Sequence, residues 1–166
     1  GESYHRTSKR IKERMDIGAS AALRIAQTEN HRVRQKGKHD SALEGQAKGL
    51  EIKKVWMATI DGDTRESHQI ADGQEVDLDK PFDVDGVEMM YPGDGPAEEV
   101  INCRCEMTEN VEGFKPNVRT RRLSEEEYQK RLAEVGGDKT KVTHHEIVEY
   151  KSYEEYKKEG LIQPKK

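Results

Sequence analysis

VINCRCEMTE, residues 100–109, carries the only two cysteines of the chain, Cys103 and Cys105, with Arg104 between them. Its branched, sulfur-bearing and threonine residues predict a strand. On a strand both thiols share one face and Arg104 takes the other. Their Cα atoms then stand about 6.6 Å apart at ~3.3 Å per residue, the upper edge of disulfide reach, so a bridge requires a bend or bulge. Nothing here has the C-x-x-C spacing of a redox pair. A metal site is geometrically easier but needs two more ligands. His68 is the best third donor, followed by Asp63, Asp72 or Asp94. A C-x-C with one distant histidine is a weak zinc signal. The plainer reading, preferred on the residues alone, is two small buried hydrophobes; zinc is the alternative, and no cofactor is required.

The strand's natural partner is EIKKVWMATI (51–60), which alternates and ends in β-branched and aromatic residues. Between them, DGDTRESHQIADG (61–73) predicts a turn, a short helical turn around Thr64–His68 and a second turn. Short β pieces follow around PFDVDG and VEMMY, then a Gly/Pro/Asp-rich excursion at PGDGP. Upstream, residues 4–15 predict a polar helix. Residues 17–36 predict another, with Ile17, Ala21, Ala22, Leu23, Ile25 and Ala26 in its stripe and Gly37 as its stop. Residues 39–48 predict a third, ending near Gly49.

The fold class that follows is α+β: N-terminal helices packed on a small, mainly antiparallel sheet. After VEGFKPN the composition changes. Ser124 with Glu127, and Ser152 with Glu155, have the spacing of capped helices ended by Gly136–Gly137 and Gly160. KVTHHEIVEY between them predicts a strand. Residues 1–112 therefore read as the working domain, and residues 113–166 as a peripheral helical and strand appendage with little to bury.

Hydrophobic residues make up 32% of the 166 residues, charged ones 37%, and mean hydropathy is −1.06. That predicts a small core. No apolar run is long enough for a bilayer and no signal-peptide pattern opens the chain. Two cysteines are too few for a disulfide-stapled fold, which makes a reducing, cytoplasmic setting the default. The net charge of −4 conceals a basic first third, a strongly acidic middle and a mixed tail. Basic termini are suited to DNA, or equally to pairing with the acidic middle. The opening GES reads as an added leader or as the start of a fragment.

The polar residues admit two chemical readings. DGDTRESHQIAD has aspartates at the first, third and twelfth places of a calcium loop, but Glu66 stands where glycine is needed and Asp72 where a bidentate glutamate is needed. The calcium reading fails. An enzyme would gather Glu29, Arg65, His68 and Arg104, with His68 as base and the arginines on a phosphate. No nucleophile motif or glycine-rich phosphate loop accompanies them. A structural polar cluster of Arg24, Thr28, Glu29, Thr64, Arg65, Asn102 and Arg104 explains the same residues better.

Taken in order, RIAQTEN, KVWMATIDGDTRESH, DGQEV, PF and MMYPGDGPAEEVINCRC resemble the phage head morphogenesis family typified by protein F of phage Mu, the minor head proteins. The matching positions are Arg24, Thr28 and Glu29 on a helix, then Trp56, Asp61, Thr64, Arg65 and His68. Asp72, Gly73, Gln74 and Pro92 follow, and Asn102, Cys103, Arg104 and Cys105 close the set. The likeness runs from about residue 18 to 108.

The resemblance implies a non-enzymatic structural virion protein in small copy number. It implies work near the portal vertex with portal or capsid proteins, in the host cytoplasm during assembly and then inside the phage head. No membrane role is implied, and the oligomeric state stays open. Some phage-encoded relatives fuse the domain to toxin domains. Full-length members carry a longer helical N-terminal region, so a fragment, a processed form or a free-standing version is expected, which bears on portal binding. In the family pattern His68 and the Cys-Arg-Cys occur as a set, which keeps zinc open beside packing.

Overall fold

The computed structural model describes residues 3–162. Residues 1–2 and 163–166, the outer ends of the basic termini and of the 113–166 segment, lie outside it. Helix α1 (Tyr4–Met15) is capped by Ser3 and buries none of its residues. Helix α2 (Ala19–Ala47) follows as one continuous rod.

The stop expected at Gly37, and the separate helix expected over 39–48, do not occur. Gly37 faces open space, where its cost is only that of a helical glycine, about 1 kcal/mol. The helix is held on both sides of it. Gln35 and His39 are buried against the sheet, and Lys36 and Asp40 form an ion pair across it at 2.7 Å. Tertiary packing overrides the local breaker.

Strand β1 (Ile52–Met57) is the centre of a three-stranded antiparallel sheet, flanked by β2 (Glu75–Asp77) and β5 (Glu106–Val111). Its alternate residues Ile52, Lys54 and Trp56 are all buried. Lys54 is a cation on an otherwise apolar face. Its Nζ donates to the carbonyls of Leu78 at 3.1 Å and Met90 at 2.8 Å, and lies 5.1 Å from the Phe82 ring centre. Burial lowers its pKa to about 8.

Between β1 and β5 come helix α3 (Glu66–Ile70), the hairpin β3 (Phe82–Val84) and β4 (Val87–Met89), and the single turn α4 (Ala97–Val100). The hairpin turns on Asp85 and Gly86, both left-handed at φ 54° and 84°, the geometry that suits the twist of paired strands.

The strand expected over 100–109 is shorter and begins later. Val100 ends α4, Asn102 adopts φ 60°, and the Cys103 amide closes back on the Val100 carbonyl at 3.1 Å. Pairing with β1 starts only at Glu106 opposite Met57. Cys103 and Cys105 therefore lie on the loop that enters the strand.

Beyond residue 112, β6 (Val118–Arg122) pairs with β7 (His145–Glu149), with helix α5 (Glu125–Glu134) between them and α6 (Tyr153–Lys158) after. Both serine-to-glutamate capping boxes form. The segment buries more than its composition suggests. Tyr153 and Tyr156 enter the main core with Trp56, Phe82, Met89, Met107 and both cysteines. Arg119 is sealed against Asp72, each side chain 1% exposed. Amphipathic tyrosines and an arginine do the burying, so aliphatic content was the wrong gauge.

Candidate metal centre

His68 is placed by α3, one turn after Arg65 caps that helix's start. Its ring packs edge-on against Trp56 at 5.5 Å between centroids, and Trp56 meets Phe82 the same way at 5.3 Å. The imidazole is 2% exposed. Nε2 is hydrogen-bonded to Glu99 Oε2 at 2.8 Å, and Ser67 Oγ donates to the same oxygen at 3.0 Å. That fixes the ring and turns Nδ1 toward the thiols, 3.2 Å from Cys105 Sγ and 3.8 Å from Cys103 Sγ. The three donor atoms lie within 4.8 Å of one another. Both cysteines are free and buried.

The cysteine loop is pinned from several sides. Arg65 Nη2 donates to the Ile101 carbonyl at 2.5 Å. Thr59 Oγ1 donates to the Arg104 carbonyl at 2.8 Å. Arg104 reaches both oxygens of Asp61, at 3.0 and 2.7 Å, and Thr64 Oγ1 donates to the Thr59 carbonyl at 2.6 Å. These bonds fix the thiols relative to His68 without regular secondary structure.

The thiols are inequivalent. Cys103 is held well below the ordinary thiol range by its hydrogen bond with Cys105 and then by His31 and His68, against the opposing effect of burial. Cys105 is pushed up by burial and by the Cys103 thiolate beside it. The pair gives up one proton readily and the second reluctantly.

The wall opposite is α2. Thr28, His31 and Arg34 line a cavity of about 620 Å³ together with Arg65, Asn102, Cys103 and Arg104. His31 is buried and its Nε2 has no hydrogen-bond partner. One turn on, Gln35 Oε1 accepts the Met107 amide at 2.9 Å, and His39 Nε2 meets the Leu78 carbonyl at 3.0 Å. The buried stripe of α2 thus changes from alanines to polar residues where it crosses the sheet.

Of the expected polar cluster, Thr28, Arg65, Asn102 and Arg104 border this cavity, and Thr64 lies behind it on Asp61. Arg24 and Glu29 are exposed on α2 and border no part of it. The four residues of the enzyme reading do not share a cleft. His68 is buried and aimed at sulfur, while Glu29 faces solvent. Asp72, a candidate ligand by sequence, is taken up by Arg119, and Asp94, another, accepts the Met90 amide. Sequence reasoning missed His31 and Glu99. His31 could have been found as the next step of the Thr28, His31, Gln35 helical stripe. Glu99 had no signal beyond its acidic run.

The α+β domain thus carries an Asn-Cys-Arg-Cys loop beside the Trp56–His68 pair. The chain belongs to the family of Phage Mu protein F like proteins, whose pattern residues 1–108 match. Among curated proteins it is similar to the minor head protein GP7 of Bacillus phage SPP1, 34% identical over 132 residues. It is also similar to the NAD(+)–arginine ADP-ribosyltransferase EFV of Enterococcus faecalis, 39% identical over 127 residues. These alignments cover 75% and 76% of this chain but only 41% and 26% of the relatives' lengths. No solved structure matches.

Proposed function

We propose that residues 1–112 form a head-morphogenesis domain that acts by docking on portal or capsid proteins during procapsid assembly, with residues 113–166 clamping that domain from behind. The observation that carries this reading is the likeness to the minor head protein GP7 over three quarters of this chain. The protein would work in the host cytoplasm during assembly and stay in the head near the portal vertex. No helix among the described residues is long and apolar enough to cross a membrane.

The polar network supports a docking role over a catalytic one. His68 is occupied by Glu99 and the two thiols, and Arg104 and Arg65 spend their donors on Asp61 and on backbone carbonyls. The transferase named among the relatives is a protein of which this chain spans 26%. We read the shared portion as its assembly or delivery part.

Mixing the purified protein with the cognate portal protein, followed by size-exclusion chromatography with light scattering, tests the docking. A discrete complex is expected. Turnover of a nucleotide or nucleic acid by the purified protein, abolished in His68→Ala, would sink the reading in favour of an enzyme.

A second reading, non-specific DNA contact inside the head, rests on α1. Arg6, Lys9, Lys12 and Arg14 are exposed on a helix that buries nothing. Binding to duplex DNA of any sequence, weakening steeply with salt, is its signature.

A further inference from the structure

We infer that Cys103, Cys105 and His68, with His31 of α2 as the fourth ligand, form a closed structural zinc centre oriented by Glu99. The inference stands apart from the head-assembly reading, since it concerns how the domain is held together.

The spacing carries the first step. Zinc at ~2.3 Å from sulfur and ~2.0–2.1 Å from nitrogen in a tetrahedron sets nitrogen–sulfur edges of about 3.6 Å. The observed Nδ1 to sulfur distances, 3.2 and 3.8 Å, bracket that edge. Small shifts of two thiols and one ring bring all three donors into range. The loop that carries the thiols is already fixed by Arg65, Thr59 and Arg104.

Glu99 is the second observation. A histidine bound to zinc typically gives its other ring nitrogen to a carboxylate, which fixes the ring and raises its basicity. Here Nε2 of His68 is committed to Glu99 at 2.8 Å, and Ser67 holds that carboxylate in turn. A histidine that served only as core filler would not need a half-buried glutamate steered onto its back.

His31 is the third. It interacts with Cys103 and is 6% exposed with Nε2 unpartnered. A buried imidazole nitrogen with no partner is costly. It falls outside the 4.8 Å set of the other three donors, so its ring must swing toward Cys103 to close the tetrahedron. Closure would tie α2, α3 and the entry to β5 through one ion. In a chain whose core is this lean, such a tie supplies folding free energy directly. Two cysteines and two histidines with no open position make the site structural rather than catalytic.

Elemental analysis of the protein refolded with excess zinc and then dialysed tests the stoichiometry, with about one zinc per chain expected. Cobalt substitution should give the intense visible bands of a tetrahedral ion and a thiolate charge-transfer band. His31→Ala should bind cobalt with a weakened, altered visible spectrum. Glu99→Gln, which keeps the side-chain size, should lose zinc affinity ~10–100-fold in chelator competition. Cys105→Ser should lose the metal, and if it fails to fold, Glu99→Gln still decides. Zinc-free protein with native thiols unreactive until denaturation would overturn the site. A cobalt spectrum unchanged in His31→Ala would overturn the ligand set.

Discussion

Arg119 grips Asp72 through both carboxylate oxygens, at 2.8 and 2.9 Å, with each side chain 1% exposed. Asp72 also accepts the Ala58 amide and the Tyr153 amide, each at 2.7 Å, and Arg119 donates to the carbonyls of Ala58 and Lys151. One buried ion pair thus joins β1's exit, the turn after α3, strand β6 and the start of α6.

Removing one partner strands the other charge out of water. Arg119→Ala and Asp72→Ala should each cost ~3–5 kcal/mol, with a lower denaturation midpoint. The double variant should cost far less than the sum of the two single changes. Additive losses would show that the two residues act separately.

Lys54 gives a pH dependence of defined sign. Its folded pKa, lowered to about 8 by burial, lies below the ordinary 10.5. Between those values the unfolded chain holds a proton that the folded chain has lost, so stability rises with pH across that window. Below pH 8 both states are protonated and the penalty is fully present. From pH 7.5 to 9.5 the gain should be about 1–2 kcal/mol. Lys54→Met should flatten that slope relative to the parent in denaturant titrations at the two pH values. Tyr153, pushed up to about 12 by burial and by Asp61 and Asp72, acts oppositely only above pH 10.

Gly93 is a contact no other residue can make. It holds φ 100°, and a Cβ there would stand 3.2 Å from the Arg32 backbone Cα on α2. Gly93→Ala combines left-handed strain with a clash against main chain that cannot swing aside. A loss of ~1–3 kcal/mol is expected, whereas Gly37→Ala on the open face of α2 should stabilise by up to ~1 kcal/mol. Thermal melts of the two variants should move in opposite directions.

The two capping boxes should differ in reach. Ser124→Ala and Ser152→Ala each remove a cap worth ~1 kcal/mol. Ser152 begins the helix that sets Tyr153 and Tyr156 in the main core, while α5 packs Tyr128 and Leu132 in a separate cluster with Leu123. Hydrogen exchange should therefore quicken across β1 and β5 in Ser152→Ala, but only around β6, α5 and β7 in Ser124→Ala.

Much of this was readable. The Trp strand, the helical turn holding His68 and both capped helices follow from alternation, turn residues and Ser-x-x-Glu spacing. So did the association of His68 with the cysteines, which family order implied. Three things were not readable. Gly37 sits mid-helix because Gln35 and His39 anchor the rod on the sheet, a tertiary fact with no local trace. The cysteines left the strand because Asn102 takes a left-handed turn, which VINCRC's β-branched opening hides. Arg119 appeared as one charge among many in a basic run, since only the fold reveals which arginine is buried.

The turn at Glu112–Gly113, with Phe114 82% exposed beside it, joins two halves that are already fastened by Asp72–Arg119 and by the seated tyrosines. Covalent continuity there should therefore be dispensable. A chain cut at this turn should remain a single particle in native solution and separate only under denaturant, and the two pieces made separately should find each other and fold together.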